Sequence, residues 1–177
     1  MFRKLLVAVD RSDLSHSVFD RGLALAKSMA ARLVLLNVLS PEEEESPNMP
    51  VLIGQDFYSG GLDRSVVEIY QELWQGYADR GLAMLRSLAD EATAAGVSTE
   101  MTQRLGSPGR IICEVAQELD VDLIILGRRG RSGLNELLLG SVSNYVMHHA
   151  PCSVLTVHRR PPDASNHATT PEATTVS

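Results

Sequence analysis

Three aliphatic runs constrain this chain more than any other feature. Leu5-Leu6-Val7-Ala8-Val9, Leu33-Val34-Leu35-Leu36 running on to Val38, and Leu123-Ile124-Ile125-Leu126 are close to unbroken in apolar character. A strand with one wet face alternates apolar and polar residues, so a continuous run marks a strand buried on both faces, in the middle of a parallel sheet covered by helices. Residues 97–105 behave differently. Val97, Thr99, Met101, Gln103 and Leu105 alternate with more polar neighbours, which suits a strand with one wetter side at a sheet edge. Cys152 to Val157 reads as a fifth strand, with Pro151 marking its start.

The apolar period between these strands is that of helices. Phe19, Leu23, Ala26 and Ala30 share one face of a helix over about 13–31, for which Ser12 or Asp13 is the candidate cap. Val66, Tyr70, Leu73, Tyr77, Met84 and Leu88 form a face over about 63–95, ended by Gly96, with Gly76 and Gly81 arguing against a straight helix. Ser107-Pro108 signals a further helix start, a capping hydroxyl before Pro at the first helical position. A short helix from Ser141 to His149 is stopped by Pro151. The order β-α-β-α-β-α-β-α-β requires crossover connections. It therefore predicts an α/β fold, a doubly wound, five-stranded, mostly parallel sheet with helices on both faces, Rossmann-like in organisation. One such domain fills residues 1–159. Residues 40–62, with Glu42 to Glu45, three prolines and Gly60-Gly61, read as a mobile insertion, and the Pro/Thr/Ser/Ala-rich residues 160–177 as a disordered tail.

Composition narrows the partners. Lys and Arg number 16 against 22 Asp and Glu, a net charge of −6. That balance argues against a general nucleic-acid or anionic-membrane binder. The apolar run near the start is too short for a signal-peptide core or a membrane span, so the expected location is cytoplasmic. Cys113 and Cys152 are the only cysteines; they encode no disulfide framework and read as reduced thiols in apolar segments. His16, His148, His149, His158 and His167 show no metal-ligand spacing.

In an open α/β sheet the ligand sits at the carboxyl ends of the strands, where the chain reverses its direction across the sheet. Strand one leaves through Val9-Asp10 and strand four through Leu126-Gly127. After Gly127 come Arg128, Arg129, Gly130 and Arg131, then Gly140-Ser141-Val142-Ser143 at the start of the short helix. The spacing is G-x-x-G, nine residues, then G-S. Glycines let backbone approach a ligand, free N–H groups at a helix start favour an anion, and the Ser141 and Ser143 hydroxyls and the arginines add to a phosphate site. No G-x-x-x-x-G-K-[ST] is present and no G-x-G-x-x-G follows strand one, so P-loop and dinucleotide chemistry are not supported. A phospho-receiver is set aside too, because Leu105-Gly106 and His158-Arg159 stand where it would need Asp and Lys.

These residues resemble the universal stress protein family, specifically its ATP-binding branch, over nearly all of residues 1–159. The resemblance rests on Leu5 to Asp10, Gly106-Ser107-Pro108, Asp122 to Gly127, the G-x-x-G-x9-G-S pattern and Ala150-Pro151-Cys152-Ser153-Val154-Leu155. It implies that Ala8 and Asp10 contact adenine and ribose and that Val38 meets the adenine through its backbone. It further implies that Leu126, Gly127, Arg129 and Gly130 line ribose and phosphates, and that Gly140, Ser141, Val142 and Ser143 hold the phosphate chain. Arg11 stands where the family often has Gly or a small residue; it either crowds the site or reaches a phosphate. Asp10 and Asp13 are candidates for a Mg²⁺ carried in by the nucleotide, with helix capping the alternative for Asp13. The implied protein is an ATP-binding stress-response regulator, with ADP or AMP as further ligands. It would act as a homodimer through the fifth strand (Val154, Leu155, Val157) on an unknown regulated protein. The rival reading is a slow ATPase or phosphotransfer enzyme using the same site.

Overall fold

A computed structural model of the chain describes residues 1–41, 43, 46–47, 64–128 and 140–158. Most of the expected 40–62 insertion, the expected tail 160–177, and Arg129 and Gly130 lie outside the described residues. The elements alternate: β1 (Lys4–Ala8), α1 (Leu14–Met29), β2 (Arg32–Leu39), α2 (Arg64–Ala94), β3 (Thr99–Leu105), α3 (Pro108–Glu118), β4 (Leu123–Gly127), α4 (Ser141–His149) and β5 (Ser153–Val157). They form a five-stranded sheet in the order β3-β2-β1-β4-β5. Every pairing is parallel.

Period-two alternation sorts the core. Leu5, Val7, Leu33, Leu35, Leu123 and Ile125 face Val18, Phe19 and Ala26 of α1 and Leu85, Leu88 and Ala92 of α2. Leu6, Val34, Leu36, Val38, Ile124 and Leu126 face Ile112, Val115 and Ala116 of α3 and Val146 of α4. Both sides of the three central strands are thus consumed by helices, which is why their sequences read as unbroken apolar runs. Each fully buried Leu or Ile contributes roughly 1.5–3 kcal/mol relative to exposure. β3 and β5 are the edges and are wetter: Met101, Leu105 and Leu155 are exposed.

Several local expectations are corrected. The alternating segment begins as a strand at Thr99, not Val97. Val97 instead follows Gly96, whose φ of +81° ends α2 in a left-handed turn, and its side chain packs into the α1/α2 core. Neither Asp13 nor Ser107 makes a side-chain cap, although both occupy the position before their helices. Helix α2, as expected of a long segment ended near Gly96, spans 31 residues and includes Gly76 and Gly81. Gly81 is there because the helix crosses the sheet too closely for a side chain: an added Cβ would lie 2.5 Å from Asn37 Oδ1 and 2.6 Å from Gln103 Nε2.

Candidate functional site

The chain leaves β1 towards β2 and β3 and later returns to place β4 and β5 on the other side, so the boundary between β1 and β4 is the switch point of this sheet. The register sets Ala8 level with both Leu36 and Leu126. Ala8, Val38 and Leu126 turn to the same face of the sheet, and Val142 of α4 packs into the cluster they share. Four residues from four elements are therefore gathered at one end of the sheet, beside the amino terminus of α4. Gly127 closes β4; a Cβ there would come within 2.9 Å of Leu14 Cδ2 and 3.2 Å of Val18 Cγ2. Its lack of a side chain thus lets α1 lie against the exit of β4, a packing reason that the spacing of glycines alone does not reveal.

Asp10 follows β1 directly and sits in a lattice of hydroxyls. Its Oδ1 accepts from the Ser12 N–H at 2.9 Å, the Ser12 hydroxyl at 2.5 Å and the Ser15 hydroxyl at 2.7 Å. Its own N–H donates to Ser15 Oγ at 2.9 Å. Ser12 thus serves Asp10 rather than capping α1. The carboxylate is held by three donors on one oxygen, each hydrogen bond to a charged group contributing about 1.5–3 kcal/mol. Sequence reasoning offered Ser12 only as a helix cap and did not single out Ser15, yet an Asp followed by hydroxyl residues two and five positions on is a recognisable side-chain-to-backbone turn signal.

At α4, Gly140 occupies the position before the first helical residue with φ −58° and ψ 152°. The amides of the first turn have no acceptor within the helix. Ser141 is exposed at that end, whereas Ser143 is buried and its hydroxyl donates to the Gly140 carbonyl at 3.0 Å. Ser143 therefore shapes the turn that presents the amides. Arg11 acts electrostatically on the hydroxyl of Tyr77 in α2, a group that also donates a hydrogen bond to the Glu43 carboxylate.

The remaining candidates lie elsewhere. Cys113 and Cys152 are free thiols packed against the α3/α4 core, and burial pushes both pKa values up. His16 stands 3.4 Å from Asp20 one turn along α1, and His149 stacks on Tyr145 at 4.1 Å. Among the described residues no group of three or more His, Cys, Asp or Glu is placed to hold a metal ion. Nor, among them, is any helix long and apolar enough to cross a membrane.

The model of the universal stress protein family matches residues 1–158. The chain is 34% identical over 156 residues to universal stress protein Sll1388 of Synechocystis sp., a match spanning 88% of this chain and 97% of that protein. Among solved structures, universal stress protein UspA from Lactobacillus plantarum superposes with a TM-score of 0.67 at 23% identity, over 88% of this chain and 97% of that one. A universal stress protein in complex with cAMP superposes with a TM-score of 0.59 at 27% identity, over 89% of this chain and 97% of that one. With its parallel order β3-β2-β1-β4-β5 and the family's pattern running along nearly its whole length, this chain belongs to the universal stress protein family.

Proposed function

We propose that this protein is a regulatory binding module for adenine nucleotides, with ATP as its ligand at the carboxyl edge of β1, β2 and β4. The single observation that carries the reading is the convergence of the β1/β4 switch point with the amino terminus of α4. Ala8, Asp10 and the Val38 backbone form the base and sugar side of the site. Leu126, Gly127, Gly140, Ser141 and Val142 form the phosphate side, with Ser143 supporting the turn; Arg129 and Gly130, which follow Gly127 in sequence and lie outside the described residues, are assigned to the same side. The relative solved with cAMP supports an adenine ligand. The Asp10 carboxylate suits hydroxyl donors of a ribose and repels phosphate, which orients the ligand. Any Mg²⁺ would arrive with the phosphates.

Calorimetry with ATP, AMP and cAMP tests the reading directly. Wild type should bind one adenine nucleotide per chain. Gly140→Val should weaken ATP binding by on the order of a hundredfold, because a side chain there obstructs the approach of phosphate while φ −58° is open to any residue. Equal affinity in the variant would remove the phosphate assignment.

The homodimer belongs to the same proposal. β5 is an edge strand, and bare apolar edges are hazards unless covered. Of the three residues named for this interface, Val157 lies in the α1/α2 core and Val154 packs on the α3/α4 core, while Leu155 is exposed. Leu155→Lys should therefore shift the protein to monomers in sedimentation without loss of fold.

A further inference from the structure

Two adjacent residues of α2 are linked to the exits of two different strands, Tyr77 directly and Ala78 through the side chains of Gln103 and Asn37. Tyr77 is buried, with its ring edge-on to Trp74 at 5.4 Å. Its hydroxyl accepts from the backbone N–H of Ser40, the residue that follows β2, and donates to the Glu43 carboxylate. Burial first, and then the Glu43 carboxylate, raises the phenol's pKa far above its usual range, so the hydroxyl stays a donor across the physiological range. Glu43 sits in a pair of successive turns, its N–H on the Ser40 carbonyl at 3.2 Å and its carbonyl taking the Ser46 N–H at 3.0 Å.

The neighbouring carbonyl, that of Ala78, accepts from Gln103 Nε2 at 3.0 Å. The same nitrogen donates to Asn37 Oδ1 at 3.0 Å, and Asn37 Nδ2 donates to the Val9 carbonyl at 3.1 Å. Asn37 is 3% exposed and interrupts the aliphatic run from Leu33 to Leu39. Buried amides are kept where they are fully satisfied, and here they tie α2 to the residue just before Asp10. Arg11, just after Asp10, is close enough for its charge to favour the ionised form of the Tyr77 hydroxyl, the weakest of the influences on that group. Helix α2 is thus tied to the exit of β2 directly and to the exit of β1 through Gln103 and Asn37.

We propose that Tyr77 is a positioning residue for nucleotide binding: with Glu43 it holds the exit of β2, and hence the Val38 backbone, at a set separation from Asp10. The inference rests on the nucleotide reading above and adds to it a helix that touches no ligand. Phenylalanine would fill the Tyr77 seat as well as tyrosine does. The hydroxyl spends its hydrogen bonds on backbone and side chain leading directly into the cleft, and a purely structural tyrosine would affect stability alone.

The test is ATP affinity by calorimetry in wild type, Tyr77→Phe, Glu43→Ala, Glu43→Gln and the double variant Tyr77→Phe/Glu43→Ala. Tyr77→Phe and Glu43→Ala should each weaken ATP binding about tenfold. Glu43→Gln, which keeps an acceptor for the phenol, should stay within about threefold of wild type, and the double variant should be no weaker than either single one, since both remove one tie. If Tyr77→Phe fails to fold, the contrast of Glu43→Ala with Glu43→Gln decides. Wild-type ATP affinity in Tyr77→Phe and Glu43→Ala overturns this proposal while leaving the nucleotide site standing. A wild type that binds no adenine nucleotide overturns the site reading itself, and this inference with it.

Discussion

Asp10 and Asp122 stand at opposite ends of the same sheet, and both collect hydrogen bonds on one carboxylate oxygen. Asp122 Oδ2 accepts the backbone N–H of Arg3 at 2.7 Å and of Lys4 at 2.9 Å, while its own N–H donates to the Lys4 carbonyl at 2.9 Å. Its partners are the first peptides of β1. The aspartate therefore staples the start of β4 to the start of β1, and nearby Lys4 Nζ ties down the end of α3 by donating to the Leu119 carbonyl at 2.6 Å. The partners of Asp10 include a loop N–H and two hydroxyls, those of Ser12 and Ser15. One carboxylate reinforces backbone that is already paired, and the other orders a loop that would otherwise have no fixed geometry. The difference follows from strand direction: in a parallel sheet the carboxyl ends open into the loops that meet a ligand, and the amino ends close into short returns.

Removing the two carboxylates in turn should separate these roles most sharply. Asp10→Ala should weaken ATP binding by on the order of a hundredfold, as expected when a charged acceptor and the loop it organises are lost together. Asp122→Ala should leave ATP affinity unchanged. Equal losses in the two variants, measured by calorimetry, would erase the contrast.

Ser15→Ala probes the lattice without touching the carboxylate. Ser15 is 7% exposed, and its hydroxyl both accepts from the Asp10 N–H and donates to Oδ1. About a tenfold loss of ATP affinity and about 1 kcal/mol of stability should follow, with Ser15→Thr restoring much of both. Retained affinity with lost stability would reduce the lattice to a structural role.

The smallest effect concerns acid. The N–H groups of Arg3 and then Lys4 hold the Asp122 carboxyl below its ordinary range. A folded-state pKa below the unfolded value contributes stability that is present above the unfolded pKa, about 4, and is lost as pH falls through the folded value. Asp122→Ala should therefore be less stable than wild type near neutrality, with the gap narrowing below about pH 4 in acid-unfolding curves. A gap that stays constant through that range would mean the clamp is not electrostatic.

How much of this was legible beforehand differs by scale. Strand and helix order and the edge position of β3 follow from the apolar patterns and the crossover rule, whereas Ala8, Val38, Leu126 and Val142 were brought to one site by the family resemblance, and the structure gathers them at one end. The caps expected of Asp13 and Ser107 were not legible in the same way, because a hydroxyl or carboxylate beside a helix start has several local partners to choose from. Ser12 turned back to Asp10, and Ser143 to the Gly140 carbonyl.

By itself the sequence determined the periods: unbroken apolar runs for strands covered on both faces, a 3.6-residue face for the helices between them, and glycine where α2 must stop. Those are properties of a residue and its near neighbours, set by sterics and by the energy of leaving water. Only the tertiary structure decided that Gln103 would meet Asn37, 66 positions away, and that Tyr77 would meet Glu43, 34 positions away. The reason is physical. A buried polar group must find a partner on whichever element the packing brings beside it, and which element that is depends on how α2 crosses β2 and β3 at Gly81, a choice made by the fold as a whole.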